Sequence, residues 1–104
     1  MLTTTKTDKS IAVEILQQLG GNKFIVMTGS KNFGCTDNSM SFKIGRNDSG
    51  ITHVKITLNS MDTYDMTFYK IRGASFKVVA TDEGIYNDML QSVFTNRTGL
   101  YTHL

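Results

Sequence analysis

From residue 40 to residue 80 the chain alternates apolar and polar side chains almost strictly, and no other feature constrains its fold as much. Met40, Phe42 and Ile44 fall on one side of the first run, with Ser41 and Lys43 on the other. Val54, Ile56 and Leu58 oppose His53, Lys55 and Thr57. Tyr64, Met66 and Phe68 oppose Asp65, Thr67 and Tyr69, and Phe76, Val78 and Ala80 oppose Ser75, Lys77 and Val79. A period of two puts successive side chains on opposite faces of a pleated strand. The run therefore predicts a sheet with one buried face and one wet face. On these registers the wet face carries Lys43, Lys55, Lys77, His53 and Tyr69. Ile71 and Val79 also fall on it, and a slip of one residue anywhere would exchange the two faces.

The remaining segments fill in an α+β plan. A helix is expected from Asp8 to Leu19, capped by Thr7 or Asp8, with Ile11, Ile15, Leu16 and Leu19 as its apolar stripe. Gly20 and Gly21 end it, and residues 1–7 are expected to be flexible. Phe24 to Thr28 is a continuous apolar, β-prone run and reads as a covered strand. Thr28 to Ser39 reads as irregular chain. Three strands follow, separated by Arg46–Gly50 and Asn59–Asp62, both rich in turn-forming residues. Gly73-Ala74 links the long third strand, about Thr63 to Arg72, to a last strand from Ser75 to Ala80. A second helix is expected over Glu83 to Thr98, capped by Thr81 and Asp82. Ile85, Met89, Leu90, Val93 and Phe94 form its stripe, and Arg97 lies at its cation-favouring end. Gly99 stops it, and Leu100, Tyr101 and Leu104 fold back on the core.

The expected fold is thus a five-stranded antiparallel meander with an N-terminal and a C-terminal helix packed on one face, leaving the other face open. Gly45, Gly50 and Gly73 would also permit a curled, partly closed barrel. With 104 residues the chain forms a single domain spanning 1–104. Its hydrophobic fraction of 39% and charged fraction of 19% are those of a globular chain, not a disordered one. There is no run of roughly 18 to 20 apolar residues, so no membrane association is expected. Met1 to Ser10 is polar and unlike a secretory signal. A single cysteine, Cys35, excludes an internal disulfide and fits a reducing compartment.

The stretch Gly20-Gly21-Asn22-Lys23-Phe24-Ile25-Val26-Met27-Thr28-Gly29-Ser30-Lys31-Asn32-Phe33 resembles a recurring segment of small uncharacterised proteins of bacteriophages and bacterial mobile elements. Val54 to Ile71, with its Met61-Asp62-Thr63-Tyr64 turn, and the ending Thr98-Gly99-Leu100-Tyr101-Thr102-His103-Leu104 resemble theirs too. The resemblance implies a phage or mobile-element origin and a setting in the host cytoplasm. It carries no catalytic or binding residue with it.

No catalytic constellation is expected. Cys35 with His53 or His103 would be a nucleophile–base pair only if the fold joined them. The two histidines lie 50 positions apart without metal-ligand spacing, so no metal and no cofactor are expected. Asp62 and Asp65 read as a turn residue and a solvated strand residue. Gly20-Gly21 precedes an expected strand, the wrong context for a phosphate-binding loop. Thr28-Gly29-Ser30-Lys31-Asn32 offers backbone amides to an anion but lacks the spacing of a nucleotide-binding loop.

The basic face is the strongest functional signal. With eleven basic and nine acidic residues, nucleic-acid affinity must come from where the charges lie. Lys43, Lys55 and Lys77 would neutralise phosphates and Tyr69 would stack on a base. Lys31 and Arg46 extend the patch, as do Lys23, Lys70 and Arg72. The expectation is a non-enzymatic module that binds nucleic acid through this face. Its competitors are a solvated face that only keeps the protein soluble and a protein–protein surface. In the last case Ile71, Val79 and Tyr69 form an apolar island for a homodimer or for a host protein.

Overall fold

The computed structural model describes residues 3–100, with side chains from residue 11 onward. The element order is α1 (Thr3–Leu19), α2 (Asn22–Thr28), β1 (Lys31–Cys35), β2 (Ser39–Lys43), β3 (His53–Leu58), β4 (Tyr64–Arg72), β5 (Ser75–Ile85), a single 3-10 turn (Asn87–Met89) and α3 (Leu90–Thr98). The strands form one sheet in the order β1-β2-β3-β4-β5, every neighbouring pair antiparallel. This is the expected meander, and the helices cover one of its faces.

The core follows the alternation of β2, β3 and β4. Met40, Phe42, Val54, Ile56, Tyr64, Met66 and Phe68 are buried on the helix side. Ile15 and Leu19 of α1 and Leu90 and Phe94 of α3 close over them. The Gln91 amide donates to the Leu19 carbonyl at 2.8 Å, tying α3 to the end of α1. Leu100 packs on this core as expected, whereas Tyr101 and Leu104 lie outside the described residues.

Four local expectations are corrected. First, Phe24 to Thr28 is a helix, not a strand. A short apolar run fits either, and burial decides between them. Phe24 and Thr28, one helical turn apart, are buried, while Val26 between them is 80% exposed. Phe24 wedges between Phe42 and Phe94, edge-on to both at centroid distances of 5.6 and 5.0 Å. Second, the missing strand is β1, inside the segment expected to be irregular. Third, α1 begins at Thr3, within residues expected to be flexible, so Thr7 and Asp8 lie inside it and do not cap it.

Fourth, β5 runs to Ile85, and the last helix starts only at Leu90. Pairing of Asp82 with Met66 and of Ile85 with Tyr64 outcompetes the helix that Asp82 and Glu83 would start. An extra residue is absorbed between those two pairs, where Gly84 adopts φ 67°, a left-handed conformation that glycine enters without steric cost.

Candidate nucleic-acid interface

The open face is assembled by pairing, since residues directly opposite in an antiparallel pair share a face. Lys31 faces Lys43, Lys43 faces His53, His53 faces Tyr69 and Tyr69 faces Val78. This is one continuous row across all five strands. At about 4.8 Å between strands it spans roughly 19 Å. A second row, Ser41, Lys55, Thr67 and Thr81, runs beside it. Lys31, Lys43, Lys55 and Tyr69 therefore stand on the open face, Lys31 through a bulge in β1 that restores its register with Lys43.

Lys77 does not. The pairing steps from Phe68–Ala80 to Tyr69–Val78, so β5 spends two residues where β4 spends one, and Val79 is the extra residue. Past this bulge the alternation of β5 is inverted. Lys77 falls opposite Lys70 on the helix side, at the end of the sheet. In exchange, Phe76 and Val78, expected in the core, come onto the open face, where they are 64% and 48% exposed. The Phe76 ring lies against that of Tyr69, with centroids 5.1 Å apart and planes 34° apart. The alternation alone gives no sign of this second aromatic. The hint available was the run Val78-Val79, two apolar residues in succession where alternation allows one.

The row is held from beneath by Thr52. Its hydroxyl lies 2.8 Å from His53 Nδ1, accepts from the Ile71 amide at 2.9 Å, and reaches the Tyr69 carbonyl at 3.3 Å. Partial burial, together with the neighbouring Lys43 ammonium, holds the His53 pKa below its ordinary 6.5. The face is thus a cationic half, Lys31, Lys43 and Lys55, grading through His53 into an apolar half of Tyr69, Ile71, Phe76 and Val78. Asp65 sits at the far end of this face, where its carboxylate accepts from Asn59 at 3.0 Å and from the Gly84 amide at 3.1 Å.

Arg46 lies beyond the end of β2, in the connection to β3, beside rather than on the face. The other groups raised by the sequence are dispersed. Cys35 is exposed and pairs with Met40, on the face opposite to that of His53. His103 lies outside the described residues. Asp62 is a turn residue with φ 63°. Gly20 and Gly21 precede a helix, not the expected strand, but both amides are spent on the Leu16 carbonyl. The Thr28 and Ser30 hydroxyls are buried and bond each other. Among the described residues no three His, Cys, Asp or Glu side chains gather to hold a metal, and no helix is long and apolar enough to cross a membrane.

No protein-family model, curated protein or solved structure matches the chain.

Proposed function

We propose that the protein is a non-enzymatic binding module that takes single-stranded nucleic acid on its open sheet face. The observation that carries the reading is the juxtaposition of the Tyr69–Phe76 aromatic pair with the Lys31–Lys43–His53 row. Bases stack on exposed aromatic rings whatever their sequence, and adjacent lysines neutralise the phosphates that connect them. Residue resemblance supports a phage or mobile-element origin for the module, and the reading places it in the host cytoplasm.

The test is fluorescence anisotropy with single-stranded DNA and RNA at about 50 mM salt, followed by a salt titration. Three neutralised phosphates should give a log–log salt slope of about −2. No binding to either strand at low salt sinks the proposal.

A second reading is favoured by one observation. Phe76, Val78 and Val79, the last 41% exposed, form an apolar strip along the edge strand β5. Such a strip suits a homodimer or a host protein partner. A monomer by light scattering, with no host protein recovered from nuclease-treated lysate, removes it.

A further inference from the structure

The connection between β2 and β3 encloses a cleft of about 250 Å³ at the end of the sheet, lined by Lys43, Arg46, Asn47, Thr52 and Arg72 among others. No acidic residue lines it. Lys70 adds a further cation, its Nζ lying 3.5 Å from where a Cβ on Gly50, another lining residue, would stand. Lys70 in turn faces Lys77 directly across the hairpin, an arrangement that costs stability unless a counter-charge is present. Among the described residues the one ion pair, Arg97–Asp82, lies elsewhere and leaves these five cations without a carboxylate.

The cleft is also pre-shaped. The Asn47 side chain donates to the Gly45 carbonyl at 3.0 Å and the Ile51 carbonyl at 2.7 Å, and accepts from the Ile51 amide at 3.2 Å. Gly45 is fixed on the other side, its amide donating to the Thr28 carbonyl at 2.8 Å. A Cβ on Gly45 would stand 3.0 Å from that carbonyl oxygen, a contact tight enough to favour glycine there. These four hydrogen bonds hold the loop backbone that carries Arg46 in place without a ligand, which lowers the ordering cost of binding one.

We infer that this cleft is a phosphate-monoester site, which holds the terminal phosphate of a single strand lying on the sheet. The inference rests on the proposed nucleic-acid reading and adds to it a fixed end point for the strand. A monoester phosphate carries close to two negative charges at pH 7, a backbone diester one. Several converging cations therefore favour the terminus over the chain interior. Arginine guanidinium groups pair with phosphate oxygens in a bidentate fork, and Arg46 and Arg72 supply two. Lys43 belongs to both the cleft and the open-face row, and Thr52 lines the cleft while holding His53 and Tyr69. A phosphate in the cleft therefore sits beside the first stacking position.

Anisotropy with oligonucleotides of about ten nucleotides, within the span of one single-strand site, tests it. Strands with and without a terminal phosphate, at the 5′ and then the 3′ end, are compared. The wild type should prefer a phosphorylated strand about tenfold, the gain expected from charge-assisted hydrogen bonds to the added group. The exposed pair Arg46→Ala/Arg72→Ala should abolish the preference, bringing the two strands to equal affinity, whatever loss common to both strands the two missing charges cause. Equal wild-type affinity for both strands, or a preference that survives in the double variant, overturns the cleft and leaves the sheet face standing. If neither strand binds, the sheet reading fails, and inorganic phosphate decides the cleft. Shifts of the residue 45–52 amides on titration, absent in the double variant, support it, and no shift overturns it.

Discussion

Tyr69 and Phe76 share the open face of the sheet, ring against ring at 5.1 Å, although strict alternation assigns them to opposite sides. The bulge at Val79 makes this possible, and it gives the two aromatics a role that can be measured. Replacing either by alanine should weaken single-strand binding by about 1–3 kcal/mol, the usual worth of one base–aromatic stack. That is roughly a five- to 150-fold rise in Kd. Because Phe76 is largely exposed, Phe76→Ala should leave the unfolding free energy within about 0.5 kcal/mol of the wild type. Anisotropy and urea unfolding on the same variant separate the two effects.

The same bulge ranks the lysines. Lys43→Ala and Lys55→Ala each remove a cation from the open face, and each should flatten the log–log salt slope by about 0.7. Lys77 stands on the other side, opposite Lys70. Lys77→Ala should leave the slope unchanged and slightly stabilise the protein by relieving a like-charge pair. A slope change as large for Lys77 as for Lys55 would mean that β5 keeps its simple alternation.

What could be read in the sequence was decided by regularity. In β2, β3 and the first half of β4, from Tyr64 to Phe68, the alternation runs without interruption, and the residues it assigns to the core are found there, Leu58 alone being half-buried. The edges behave differently. β1 and β5 carry bulges, and a bulge removes the fixed parity on which the reading depends. Hence Phe76 was assigned to the core and Lys77 to the interface, each on the wrong side. The candidate site was legible to the extent that it sits on inner strands: Lys43, Lys55 and Tyr69 stand where expected. Arg46 was placed near the patch correctly, but its neighbours in the cleft depend on a loop conformation that no periodicity encodes.

The helix at Asn22–Thr28 shows the opposite limit, a segment too short for its period to be read. Two substitutions test it. Phe24, enclosed by Phe42 and Phe94, should cost about 3–5 kcal/mol when changed to alanine. Val26→Glu should cost no more than about 0.5 kcal/mol, because the helix turns Val26 outward. In a strand, Val26 would share a face with Phe24, and a glutamate there would be as damaging as the lost phenyl ring. Chemical denaturation of the two variants distinguishes the conformations.

His53 makes binding and stability respond to pH in opposite directions. Its folded pKa lies below the unfolded 6.5, from partial burial first and the Lys43 charge second. The unfolded chain therefore takes up the proton more readily. The contribution of neutral His53 to stability is complete above pH 6.5 and declines as pH falls through the window below it. A bound phosphate backbone reverses the preference, since it offsets the Lys43 charge and favours imidazolium. Single-strand affinity should thus rise as pH drops below 6.5, and His53→Gln should remove that rise. The histidine ring resonances, followed by NMR with and without a strand, should titrate at higher pH in the complex.

Asp82 and Arg97 were read as the two ends of one helix, and the fold instead joins them as a bidentate pair across β5 and α3. Arg97 Nε and its terminal nitrogen each lie 2.8 Å from a carboxylate oxygen. The hydrogen bonds from Arg97 hold the Asp82 pKa below its ordinary 3.8. The stability this contributes is present above 3.8 and is lost as pH falls through the lowered folded value. Asp82→Asn should flatten the acid limb of the melting curve against pH. Asp82→Ser discriminates between the two structures. Serine is a good helix N-cap, so a helix starting there would tolerate it. An ion pair would not, and the variant should melt lower than the wild type. Because both groups are partly exposed, the deficit should shrink as salt screens the pair. Combining Asp82→Ser with Arg97→Gln should cost little more than either change alone. A melting temperature for Asp82→Ser equal to the wild type at low salt would restore the longer helix.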